Sequence, residues 1–293
     1  MPLHTRGERI FSWVNNIFLL MIASICLLPM IHVIALSLSD NVAVAGGYVK
    51  LLPVRFTMEP YKFVIMRYEF WRAFNTTILR VVLGVSLNLL LIILSSYPLS
   101  KPNNRFDFRT VYVWLILITM LFNGGLIPNY LLVTNLNLRN TIWALVLPGA
   151  VNAFNIILLI NFFRQLPSEL EDAALIDGAG HFRTLFRIYI PCSLPAIATI
   201  TLFCVVGHWN SWFDGLIYMM RPEKYPLQTY LYTAIVKLNF ANLSIEEIKR
   251  RAALSERSVR AAQIVVGVIP ILMTYPFLQK YFVKGIVLGS VKG

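Results

Sequence analysis

Apolar positions along the chain gather into six runs, near residues 11–37, 73–98, 110–132, 140–163, 186–218 and 261–283. Each is long enough to cross a hydrocarbon core, which takes about 20 residues as helix. The pattern predicts an all-α, polytopic membrane protein, with one transmembrane domain over residues 1–293. Two runs are interrupted. Asn123, Gly124, Gly125 and Pro128 break the third near its end, and Gly207, His208 and Asn210 break the apolarity of the fifth.

Between the fourth and fifth runs lies a polar island, residues 164–191. Ser168 with Glu171 three positions on forms a capping-box pattern. Glu169, Glu171 and Asp172 put negative charge on the first turn, where the helix dipole favours it. Gly178 and Gly180 then supply a stop and a turn, and a second helix from about His181 runs into the next apolar span. The sequence therefore predicts a short helix over 168–177 inside an inter-span loop. Two readings stand side by side, an amphipathic helix that steadies the bundle and a docking helix for another protein.

Composition agrees with the membrane assignment. The chain is 57% hydrophobic and 14% charged, against about a quarter charged in soluble domains. The net charge of +12 follows from the excess of Lys and Arg in cytoplasmic loops, and no basic cluster is interleaved with aromatics in a way that suggests nucleic acid. Lys101, Arg105 and Arg109 mark the 99–109 loop as cytoplasmic, whereas the 133–139 loop has only Arg139. Alternation places both termini and the island on the cytoplasmic side and leaves segments 38–72 and 219–260 outside, the second with a helical stretch through Glu246 to Glu256. Arg6 and Arg9 precede a run with no small-residue cleavage site, so it reads as a retained first span. Cys26, Cys192 and Cys204 sit in or beside apolar runs without metal spacing and read as small core residues.

Catalytic and nucleotide-binding signatures are absent: no phosphate-binding P-loop, no nucleophile elbow, no metalloprotease or dinucleotide fingerprint. Polar residues inside spans are costly and mark function. Here they are Asn88, Asn152, Asn155, His208, Asn210 and Asp214. Asn152 and Asn155, three apart, share a face if helical. Trp209-Asn210-Ser211-Trp212 mixes rings with hydrogen-bonding groups, as sugar sites do, and equally suits interhelical bonding beside an aromatic belt. An ion-coupled secondary transporter would need intramembrane carboxylates, and only Asp214 comes near. An intramembrane enzyme would need a nucleophile–base pair at depth, and none is visible.

Asp172-Ala173-Ala174, then Asp177-Gly178-Ala179, then Ile188-x-Ile190-Pro191 resembles the EAA loop of bacterial ABC-importer permeases. Asp172 stands where Glu is usual and Ile190 where Leu is usual, without change of charge or apolarity. The resemblance implies a type I permease fold in the bacterial inner (plasma) membrane. It makes helix 168–177 a coupling helix, with Glu171, Asp172, Ala173, Ala174, Asp177, Gly178, Ala179 and Pro191 as its functional set. Trp209, Asn210 and Trp212 match a fifth-span segment usual in sugar importers, and Asn152, Asn155 and His208 join them as the expected substrate path. The tail ending Val291-Lys292-Gly293 resembles MalG-like permeases, where it reaches between the ATPase subunits. Length and the 275–282 segment lean to the LplC-like branch, which includes permeases for oligosaccharides and for alginate; the second permease subunit of alginate importers fits nearest. The implied partners are a second, homologous permease, two ATPase subunits holding ATP and Mg, an extracytoplasmic solute-binding protein and a carbohydrate. The chain itself would carry no cofactor and no catalytic residue.

Overall fold

The structure, a computed structural model, describes residues 6–236 and 255–289. These fall into two compact units, residues 1–70 with 234–269, and residues 71–233 with 270–293. Two of the dividing points lie inside long helices. Val291, Lys292 and Gly293, and most of the helix expected before Glu256, lie outside the described residues.

In the first unit, α1 (Arg6–Ser37) is a 32-residue helix whose most apolar stretch buries nothing within the chain. Such a surface is stable only against lipid or other protein. Its end is tied into a small cap with α2 (Asn41–Ala45) and α3 (Glu59–Ile65). Ala35, Ala43, Val44 and Val49 form the apolar centre. Ser39 Oγ donates to the Ala35 carbonyl at 2.6 Å and accepts from Val54 N–H at 3.0 Å.

The second unit is built on α4 (Tyr68–Ser100). Next come α5 (Arg109–Leu121) and α6 (Leu126–Asn135), then α7 (Trp143–Val146), continued by a 3₁₀ turn over Leu147–Gly149, and α8 (Ala153–Phe163). The island holds α9 (Ser168–Ile176). Beyond it lie α10 (His181–Thr184), a π-helical turn over Leu185–Tyr189 and α11 (Ile190–Cys192). They are followed by α12 (Leu194–Asn210), α13 (Phe213–Tyr218) and α14 (Leu227–Val236). The last helix, α15 (Glu256–Gly289), closes the chain. Ile156, Leu159, Ile160 and Phe163 recur at helical spacing on α8 and meet Ile92, Leu185, Tyr189 and Ile200 in one core.

Among the described residues, three helices are long and apolar enough to span a membrane, and three bent pairs bring the number to six if each pair is one span. The expected breaks are partly relocated. In the third run α5 and α6 meet at 111° across residues 122–125, where Gly125 adopts φ +85°. Pro128 belongs to the first turn of α6, where a missing N–H costs nothing. The fourth run, expected to be continuous, is bent by 49°. Pro148 and Gly149 end its first part, and Asn152 caps α8 by accepting from Asn155 N–H at 3.0 Å. The fifth run bends by 83° at Ser193, before α12. Gly207, His208 and Asn210 do not interrupt that helix, because they complete its last turn.

What holds α9 is a cluster of charge at the end of α4. Glu171, expected as the capping-box partner of Ser168 on the first turn, is 5% exposed. Lys101 Nζ lies 2.8 Å from its Oε1, Arg105 Nη1 lies 3.4 Å from Oε2, and the Tyr189 hydroxyl donates to Oε2 at 3.0 Å. Lys101 also donates to the Tyr189 oxygen at 2.9 Å and sits 4.0 Å from the ring centres of Tyr97 and Tyr189. Burial pushes the Lys101 ammonium below its ordinary range, against the hold of Glu171. At the rim Arg105 Nη2 reaches Asp172 Oδ1 at 2.7 Å. The capping box does not form: Pro167 is the N-cap, no side chain caps the helix, and the Glu171 carboxylate is spent on Lys101. At the other end the Ala179 N–H bonds the Ala174 carbonyl at 2.9 Å and the Gly178 N–H the Leu175 carbonyl at 3.0 Å. That is a Schellman stop with glycine at the left-handed position, φ +70°.

A buried ion pair is costly to halve and far less costly to remove whole. Glu171→Leu is expected to lower stability by roughly 3–5 kcal/mol, since Lys101 is left charged and nearly enclosed. Adding Lys101→Met should recover most of the loss. Thermal unfolding of the detergent-solubilised protein reads both, and additive losses in the double variant would refute the pairing.

Candidate functional site

At the opposite end of the second unit α4, α7, α8, α12 and α13 line an open cavity of about 480 Å³ with several polar side chains in its wall, within the roughly 300–1,000 Å³ usual for small-molecule sites. Arg80 and Asn88, two turns apart on α4, supply one wall. Asn88 donates to the carbonyls of Gly149 and Ala150 at 2.9 and 2.8 Å, satisfying the backbone freed by the α7–α8 break. Its oxygen lies 2.7 Å from His208 Nε2. Gly84 makes this approach possible, because a Cβ there would overlap the His208 ring. In a membrane, close backbone approach at small residues is a main source of helix association.

Arg80 is 3% exposed. It pairs with both carboxylate oxygens of Asp214 and donates to the Ser211 carbonyl at 3.2 Å and to that of Leu145 at 3.4 Å. The Asp214 carboxylate also accepts from Ser211 Oγ and from Gly215 N–H, each at 2.8 Å. These bonds join α4 to α7 and to the α12–α13 turn. Nε of Arg80 is buried and makes no hydrogen bond.

The expected substrate residues divide. Asn152, Asn155 and His208 line the cavity, as do Asn88 and Asp214. Asn152 is the cap of α8 rather than a partner of Asn155 on one helix face, and Asn155 turns inward to Cys204 Sγ at 3.6 Å. Trp209 is buried, edge-on to Phe74 at 5.9 Å. Trp212 lies against Tyr232 at 4.1 Å between ring centres. Neither Trp nor Asn210 lines the cavity; the rings that do are Phe154, Phe203 and Tyr218. Arg80 is the residue the sequence reading missed. Its signal was present, a single cation in an otherwise apolar run with Asp214 as the sole acidic residue near a span.

The expected coupling residues also divide. Glu171 and Ala174 face inward and are buried. Ala173, Asp177, Gly178 and Pro191 are exposed, and Asp172 and Ala179 are half-buried. Alongside Glu169 and Ala173, α9 also exposes Leu170, Leu175 and Ile176, the last 86% exposed, with Phe182 and Phe186 beyond the turn also exposed. Gly178 has open space where a Cβ would stand, so its reason is φ and not bulk.

The two ends share α4. Arg80 and Ser100 are 20 positions apart on it, about 30 Å along the axis, the thickness of a hydrocarbon core. Cavity wall and charge clamp are therefore fixed to one helix.

Over residues 6–287 the chain matches the family described as binding-protein-dependent transport system inner membrane component. It is 39% identical over 286 residues to the polygalacturonan/rhamnogalacturonan transport system permease protein YtcP of Bacillus subtilis (strain 168), covering 98% of this chain and 99% of that protein. It is likewise 39% identical over 290 residues to protein LplC of the same organism, covering 99% and 97%. Among solved structures, a chain from a bacterial ABC transporter involved in the import of the acidic polysaccharide alginate superposes with a TM-score of 0.86 at 38% identity, over 96% of this chain and 100% of that one. With apolar helices long enough to cross a membrane, an inter-span helix clamped to α4 and full-length relatives, this chain belongs to the inner-membrane components of binding-protein-dependent transport systems.

Proposed function

We propose that this chain is a permease subunit of an ATP-driven carbohydrate importer, and that its cargo is an acidic oligosaccharide. The observation that carries the reading is the joining, through α4, of a cavity lined by Asn152, Asn155 and His208 to a clamped helix that exposes Leu170, Leu175 and Ile176. Leu170, Leu175 and Ile176 would seat in a groove of an ATPase subunit, and the clamp to Lys101 would pass its movement to α4. ATP and Mg belong to that partner; this chain supplies no catalytic group and completes the path with a second, similar permease. α9 and both termini then lie on the cytoplasmic side, and a solute-binding protein delivers cargo at the other face. The 291–293 tail reaching between the ATPase subunits is part of the same reading.

The acidic character of the cargo is supported by what the relatives carry. Polygalacturonan, rhamnogalacturonan and alginate, which those transporters are named for, all contain uronate units. Hydrogen-bonding groups from Asn152 and His208 beside the rings of Phe154 and Phe203 suit a pyranose. An ion-coupled mechanism has no support. The one carboxylate lining the cavity, Asp214, is committed to Arg80. Uptake of uronate trimers by the reconstituted transporter, with its binding protein and ATP, tests the assignment; uptake of neutral trimers alone would overturn the acidic part.

The two ends can be separated by substitution. Gly178→Val forces a β-branched residue into the left-handed region, at roughly 1–2 kcal/mol, and should cut uptake at least about tenfold with weakened ATPase association. Gly178→Asn, which tolerates that conformation, should retain most of both. Equal behaviour of the two variants would show that the stop of α9 is unimportant. Gly84→Ala should push His208 off Asn88, at roughly 1–3 kcal/mol of overpacking. It should reduce uptake while leaving the ATPase subunits bound, as pull-down of the complex can read.

A further inference from the structure

The segments on either side of the cavity-lining Tyr218 carry charge that the clamp and the cavity do not use. Segments 126–142 and 215–233 contain three cations, Arg139, Arg221 and Lys224, against one carboxylate, Glu223. Arg221 and Lys224 are exposed and Arg139 is half-buried. The three are brought together by backbone. Lys224 Nζ donates to the Asn140 carbonyl at 2.6 Å, and the Lys224 N–H bonds the Arg221 carbonyl at 2.9 Å.

This patch is tied to one residue of the cavity wall. The Asn140 N–H donates to the carbonyl of Tyr218, a lining residue, at 2.9 Å. The Tyr218 ring lies parallel to that of Tyr130, with 10° between planes and 6.3 Å between centres, and the Arg139 guanidinium stands 5.1 Å over Tyr130. Arg139 Nε and Asn140 Oδ1 are both buried and make no hydrogen bond. A guanidinium stacked on a ring is held in one plane, the orientation that a two-point contact with a carboxylate needs. The patch also lies at the end of α4 away from α9, which is where cargo arrives if α9 faces the ATPase.

We propose that Arg139, Arg221 and Lys224 form a basic rim that draws the carboxylates of an acidic oligosaccharide toward the cavity, with Arg139 as the contact nearest Tyr218. The proposal rests on the acidic-cargo reading above and adds the residues that act on the charge. An acidic face of the binding protein could use the same cations, but it would not require Arg139 to be stacked in line with a cavity wall; the sugar carboxylate does.

The test uses the complete reconstituted transporter with its binding protein, and compares trigalacturonate with its methyl ester, which has the same rings and no charge. In Arg221→Gln/Lys224→Gln, which removes both charges and replaces the Lys224 donor to the Asn140 carbonyl with an amide, KM for the free acid should rise about fivefold and lose most of its dependence on salt. Uptake of the ester should stay unchanged. Arg139→Lys keeps the charge but not the fork, and should raise KM for the acid alone. An unchanged KM for the acid in the double variant overturns the proposal. Equal losses for acid and ester overturn it in favour of docking by the binding protein. If the unaltered transporter takes up the ester and not the acid, the cargo reading falls and the rim with it.

Discussion

A carboxylate enclosed at the end of an apolar bundle has to keep its counter-charge, and the arrangement of the second unit follows from that requirement. Desolvating Glu171 and Lys101 separately would cost several kcal/mol per ion. Together, with Tyr189 donating and Arg105 at the rim, they are held. The consequence is mechanical. α9 cannot shift without either dragging α4 or breaking a pair in a low-dielectric setting, where the loss is large. A loop helix that could have been a loose appendage is thereby made part of the bundle. The π-helical turn at Leu185–Tyr189 serves the same end, because the extra residue per turn re-aims side chains in the segment that carries Tyr189 inward.

At the far end of α4 the same logic operates with different groups. The bend between α7 and α8 frees backbone carbonyls that water would satisfy in a soluble protein. Asn88 takes two of them, and Arg80 takes that of Leu145 along with Asp214. The polar side chains that make the cavity attractive to a sugar are thus also the ones that let the helices break there. Structure and recognition are not separable at this site, which explains why so few polar residues occupy so long an apolar sequence.

Much of this was legible beforehand. Six runs, the island helix and its glycine stop follow from apolar period and turn chemistry. What escaped is instructive. Lys101 and Arg105 were read only as markers of the cytoplasmic side, because a topological rule already accounted for them; that they point back at Glu171 and Asp172 is a tertiary fact with no local signal. Trp209 and Trp212 looked like a sugar platform, since ring next to amide is the right composition; in the structure Trp209 is buried against Phe74 and Trp212 lies half-buried against Tyr232. The fifth run was expected to break at its polar residues. It bends at Ser193 instead, because polarity late in a helix can be absorbed by partners such as Asn88 whereas the geometry before Pro195 cannot continue. Fold class therefore came from pattern, and residue roles came from contact.

The closeness of α4 to α12 at Gly84 reaches beyond energetics. A single hydrogen in place of a side chain is what admits the His208 ring, and that ring in turn occupies the oxygen of Asn88. Positions 84, 88 and 208, spread over more than a hundred residues, therefore cannot drift one at a time. A larger residue at 84 is tolerable in a lineage only where 208 has already become small, and a residue at 208 that cannot bond an amide leaves 88 to find another partner or lose its own. The evolutionary path open to the cavity is narrower than its count of lining residues suggests, and a change of cargo would be reached more readily through the rings of Phe154 and Phe203, which no such triangle restrains.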